Sequence, residues 1–189
     1  NLRKAIEFIV AVHIPIAGLA IIPLLFGLPM ILSPIHIAFL EMVIDPACSV
    51  VFEAEQEEDD VMQRPPRNPQ TPLLETKRVA WAITQGLVGL VMLCGLLFTG
   101  IQLAMPENDL RSLVFCALVI FNMGLILINR SFSASLTRAL FRPNRSLWIL
   151  LCTVSFILAL AVSWPAAQGL FKFGNFHLHE FLACVITAV

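Results

Sequence analysis

The chain is 189 residues long, 58% hydrophobic and 13% charged, with a mean hydropathy of +0.86. Soluble domains carry about 25% charged residues, so this composition excludes a water-soluble fold and marks an integral membrane chain surrounded by lipid bilayer. A net charge of −1 speaks against a nucleic-acid partner or an acidic ligand. Five cysteines (Cys48, Cys94, Cys116, Cys152, Cys184) are scattered through apolar runs without CxxC spacing, so they read as small buried thiols rather than a zinc site or a disulfide framework.

The sequence opens NLRKAIEF, with neither methionine nor cleavage site, which reads as an internal start. The first apolar run, Ala5 to Leu28, is long enough to span a bilayer. Pro15 and Pro23 interrupt it, and it carries His13. A tight turn from Gly27 leads into a second run, Pro34 to Glu53, which must be an antiparallel neighbour of the first.

That second run holds the chemistry. Glu41 and Asp45 are four residues apart and project from one helix face, one turn from each other. At 1.5 Å per residue, Glu41 lies about 10 Å and Asp45 about 16 Å into a hydrocarbon layer about 30 Å thick. Ionisable groups at such depth face a bundle interior and mark ion pathways or proton relays. Pro46 lacks an N–H, which frees backbone carbonyls near Met42. Carboxylates beside freed carbonyls suit a hard cation. The alternatives for a buried acid are a structural salt bridge or a protonated helix-to-helix hydrogen bond. His13 and Asp45 sit at similar depth and are expected to face each other, although His13 could equally be an interhelical hydrogen-bond donor.

From Glu53 to Arg78 the chain is first acidic, then proline-rich and basic, which reads as a solvated loop stiffened by prolines 65, 66, 69 and 72. The third run, Val79 to Ala104, has Trp81 at its entrance and places Gly86 and Gly89 on one face for close helix approach. Arg111 to Ile128 forms the fourth, with Asn122 its strongly polar residue at mid-depth. A basic loop from Asn129 precedes the fifth run, Ser146 to Ala167, flanked by Trp148 and Trp164. The last run, Phe181 to Val189, is too short to span and reads either as a helix cut short or as one that also draws on Phe176 to Glu180. The expected fold is an all-α polytopic transmembrane bundle of about six helices in three parts: a hairpin over residues 1–53 carrying the ion-site residues, a loop over 54–78, and four further helices over 79–189. With the amino end inside, ten basic residues lie in inner segments and two, Arg111 and Lys172, in outer ones, so the amino terminus and both long loops are expected in the cytoplasm.

The string DDVMQRPPRNPQTPL closely resembles the loop after the sixth transmembrane helix of calcium-pump-like P-type ATPases. EMVIDPACSVVFEAE is similar to the sixth helix of bacterial members, and NLRKAIEFIVAVHIP to the start of the fifth. The resemblance extends over the whole chain as helices five to ten. It implies a cation pump of the bacterial plasma membrane, driven through an aspartyl-phosphate, whose other helices and cytoplasmic domains are the partners of this segment. ATP and Mg2+ would be used by the whole pump, and calcium or another cation would be its cargo. The sequence contains no DKTGT motif and no GDGxND hinge, so the segment alone is expected neither to bind nor to hydrolyse ATP and to need no cofactor.

Carried over by resemblance, Asp45 matches an ion-ligating aspartate, Glu41 falls where calcium pumps usually have asparagine, and His13 where they have a ligating asparagine. Ile16 and Ile44 replace a ligating glutamate and threonine, and Asn122 falls near an eighth-helix glutamate. With those departures, a single cation site on Asp45, Glu41, His13 and Asn122, between the helix breakers Pro15 and Pro46, fits better than two calcium sites. So does a site in which His13 and Glu41 exchange protons. The loop with Arg64, Pro65, Pro66 and Arg67 is implied to contact the phosphorylation domain. Competing readings are a fragment of a proton-coupled secondary transporter, which inverted repeats would favour, and a non-catalytic membrane scaffold. His177, His179 and Glu180 read as a loop, His36 as a solvated residue near the outer surface, and Met42 and Met123 as packing residues.

Overall fold

The computed structural model describes residues 2–55, 75–130 and 144–174. Five helices in it are long and apolar enough to cross a membrane, and the described residues contain no strand. The chain is an all-helical integral membrane protein. The loop residues Arg64, Pro65, Pro66 and Arg67 and the last apolar run lie outside the described residues.

Helix α1 (Leu2–Phe26) runs through both of its prolines. Pro15 cannot donate to the carbonyl of Ala11, one turn back. That carbonyl lies against α3 (Thr76–Gln102) at Gly86, where an added Cβ would stand 2.6 Å from it. The missing side chain lets the two helices meet backbone to backbone, as the glycine spacing predicts. Gly89, on the same face, admits the ring of Phe121 from α4 (Glu107–Asn129). At their amino-terminal ends α1 and α3 are tied by charge. Arg78 lies 3.4 Å from the buried Glu7, and Arg3 lies 3.8 Å from Glu75.

Gly27 ends α1 at a φ of +64°, a conformation that favours glycine. The connection then turns inward, burying Ile31 and Leu32. Ser33 caps α2 (Pro34–Pro46), with Pro34 in its first turn where a missing N–H costs nothing. The imidazole of His36 closes the cap by accepting the Ser33 backbone N–H at 3.1 Å on Nδ1. His36 is therefore not solvated, as its sequence position suggested. It is fully buried, with ring centroids of Phe115, Phe173 and Phe171 at 4.8, 5.3 and 5.5 Å.

After Pro46 the helix widens into a π-turn, Ala47–Val51, closed by a Phe52 N–H to Ala47 carbonyl bond of 3.1 Å. A π-turn admits one extra residue and is the local remedy for a helix that has lost a donor. Such turns are frequent at functional sites.

Helix α4 is the central post: 67% of its apolar span is buried, against 28% each for α3 and for α5 (Arg145–Ser163). The pair α1 and α3 packs on one flank of it, and the π-turn packs against α5. The continuous run expected from Ser146 to Ala167 is instead two helices. Trp164 adopts an extended conformation, as a residue before proline must, and Pro165 starts α6 (Pro165–Phe171). Of the cysteines expected to be buried, Cys116 is, Cys94 is partly so, and Cys152 is exposed on α5.

Candidate functional site

His13 and Glu41 meet across the α1–α2 hairpin, with Nε2 3.9 Å from the Glu41 Oε1. The His13 Nδ1 lies 2.8 Å from the Ile9 carbonyl one turn back. Since a carbonyl only accepts, Nδ1 carries the ring proton and Nε2 turns a lone pair, or a second proton, toward the acid. Either way the pair can share a proton or hold a cation.

Counting depth from a shared inner face pairs Asp45 with His13, whereas the site in which His13 and Glu41 exchange protons pairs Glu41 with it; the structure has the second pairing, one helical turn from the first. The count assumes that the start of the first run and the end of the second lie level, and the contact shows them offset by about one turn.

Asp45 follows one turn along the same face and makes no ion pair among the described residues. Its backbone carbonyl accepts the Ser49 hydroxyl at 2.7 Å, within the π-turn. The side chains of His13 and Glu41 are 49% and 45% exposed, and Asp45 is exposed too. All three thus lie on a face that the described residues leave uncovered. Among those residues no three His, Cys, Asp or Glu side chains converge as a metal centre.

Asn122 stands apart on α4. It is fully buried, and neither its Oδ1 nor its Nδ2 has a hydrogen-bond partner among the described residues. The structure thus brings His13 and Glu41 together with Asp45 adjacent, and does not bond Asn122 to them.

Two polar clusters escaped the sequence reading. At one end of α4, Arg130 is fully buried and forks onto Glu55, with Nε 2.9 Å from Oε2 and Nη2 3.2 Å from Oε1. Asn144 donates to the same carboxylate at 2.9 Å and to the Val51 carbonyl at 3.1 Å, while its Oδ1 caps α5 at the Leu147 N–H. At the other end Arg111 donates to the Met30 carbonyl from Nε and Nη2, at 3.2 and 3.1 Å, and to the Lys172 carbonyl at 3.1 Å. Asn144 directly before an apolar run is a helix-start signal that could have been read. Glu55 sat in an acidic run and carried no such mark.

Residues 29–189 match the family model for the C-terminus of cation transporting ATPases. The chain belongs to that family. Over 177 residues it is 27% identical to the calcium-transporting ATPase of Bacillus subtilis (strain 168), covering 90% of this chain and 19% of that protein. Over 101 residues it is 32% identical to the alpha-2 subunit of the sodium/potassium-transporting ATPase of Bos taurus, and equally to that of Sus scrofa, covering 52% of this chain and 10% of each relative. The chain thus spans about a fifth or less of the length of these curated relatives.

Proposed function

We propose that this segment supplies part of the transmembrane cation site of an ATP-driven pump, with Glu41 and Asp45 as the charged ligands and His13 beside them. The observation that carries the reading is the hairpin itself. Two acids on one face of a membrane-spanning helix, one of them 3.9 Å from an imidazole, stand just before a proline and a π-turn. Acids in a spanning helix are costly unless they work, and their usual work is ion or proton passage. The cation is calcium or another ion taken from the cytoplasm, ATP and Mg2+ are handled by the remainder of the pump, and Asn122 contributes a neutral oxygen from α4. The remaining helices and the cytoplasmic domains of the same pump cover the exposed acidic face, and the loop with Arg64 and Arg67 relays movement from the phosphorylation domain. The membrane is the bacterial plasma membrane, with the amino end and the two long loops in the cytoplasm.

The test is ATPase activity of the intact pump in vesicles against calcium, manganese, magnesium, sodium and potassium, for the parent and for Asp45→Asn, Glu41→Gln and Asn122→Ala. Stimulation by one cation that Asp45→Asn and Glu41→Gln abolish, and that Asn122→Ala weakens less, is the expected result. Activity indifferent to all five cations but varying with pH would replace the metal cargo by protons moving through His13 and Glu41. Near-normal stimulation in all three variants would remove the site assignment.

A further inference from the structure

Two buried arginines, Arg111 in α4 and Arg130 at its C-cap, are 19 residues apart. At 1.5 Å per residue that is about 28 Å, close to the thickness of the hydrocarbon layer. Each grips the acid-bearing segment just beyond one of its ends. Arg111 holds the Met30 carbonyl before α2 begins, and Arg130 holds Glu55 after the π-turn has finished. Asn144 fastens the second grip to α5 and satisfies the Val51 carbonyl at the end of the π-turn. Between the grips lie Glu41, Asp45, Pro46 and the π-turn.

We infer that Arg130, Glu55 and Asn144 are positioning residues for the cation site, setting the height of Glu41 and Asp45 along the membrane normal relative to His13 on α1. None of the three touches the acids. A segment pinned at both ends to one rigid helix cannot slide past α1 as a body. Its one compliant stretch is the donor-poor helix at Pro46 and the π-turn, so movement at the acids is a change of bend there. Loosening the Glu55 end lets the whole segment shift axially and takes Glu41 out of register with His13. The forked guanidinium geometry matters because two parallel bonds fix orientation as well as distance.

The inference rests on the cation-site reading above and is tested in the same intact pump, with Asp45→Asn measured alongside. Arg130→Gln and Glu55→Gln are each expected to raise the half-saturating cation concentration about tenfold, the usual effect of losing a group that orients a ligand. Maximal ATPase rate should stay within about twofold, since ligand placement rather than chemistry is disturbed. The double variant should be no worse than either single one, because one link is broken once. Asn144→Ser keeps a cap for α5 and the ion pair but loses the bonds to Glu55 and Val51. It should give a smaller shift in the same direction, and it serves as the test if the charge variants do not fold. Unchanged half-saturation in folded Asn144→Ser or Arg130→Gln protein, while Asp45→Asn abolishes stimulation, overturns the positioning role alone. Normal stimulation in Asp45→Asn removes the cation site and this role with it.

Discussion

At Gly86 one methyl group has a calculable effect, because its neighbour is backbone rather than a side chain that could turn away. The Ala11 carbonyl stands 2.6 Å from where a Cβ would go, and it is the acceptor that Pro15 left without a donor. Gly86→Ala should therefore push α1 from α3 and cost about 1–3 kcal/mol, the usual range for overpacking. Gly95, with nothing within 4 Å of its Cβ position, is the internal control. Thermal unfolding in detergent should show a lowered midpoint for Gly86→Ala and an unchanged one for Gly95→Ala; equal midpoints would mean that the close approach carries no weight. The pair Gly86 and Gly89 was legible because small residues three apart share a helix face. The buried state of His36 was not, since a histidine beside a turn looks the same whether it caps the helix or meets water. The level at which α2 meets His13 was only half legible, because counting residues from a membrane face pointed to Asp45 while the proton-exchange reading pointed to Glu41.

Among the elements, α4 differs from its neighbours in burial more than in composition. Its apolar span has hydropathy 2.3, as has that of α5, yet 67% of one is covered and 28% of the other. Hydropathy alone could therefore locate both spans without ranking them. The cysteines report the difference directly. A lipid-soluble thiol reagent should modify Cys152 on α5 fastest, Cys94 on α3 more slowly and Cys116 on α4 slowest, followed by mass spectrometry of the intact pump in membranes. Rapid modification of Cys116 would contradict the central place of α4. The break at Trp164 and Pro165 was readable from the proline, but the unbroken apolar run across it argued for a single helix.

For the whole molecule, the class of fold was plain from composition and run length, and the family from the proline-rich string that lies outside the described residues. What sequence could not supply was which elements lie side by side, because each run is apolar on most of its surface. Orientation is a whole-molecule property with its own test. Lys77→Cys at the entrance of α3 and Lys172→Cys after α6 both place a thiol at an exposed position. In intact cells a membrane-impermeant maleimide should label residue 172 and spare residue 77 until the membrane is opened; the reverse pattern would invert the topology. The Arg130–Glu55 link makes a further prediction at this scale. Breaking a fully buried pair by removing one partner commonly costs about 3–5 kcal/mol. Arg130→Gln should accordingly lower the unfolding midpoint of the pump, and adding Glu55→Gln to it should restore part of that loss.

The π-turn also decides which changes in length this stretch can bear. Because it holds one residue more than an α-helical turn would, a single deletion within Ala47–Val51 would let the helix close in ordinary register while the chain on either side keeps its facing. A deletion in the regular helix before it, Pro34–Pro46, would instead rotate everything that follows by about 100° about the helix axis. Phe52 would then leave Phe8, and Glu55 would swing away from Arg130. Variation among functional versions of this segment should therefore confine single-residue gaps to residues 47–51 and show none across residues 34–46.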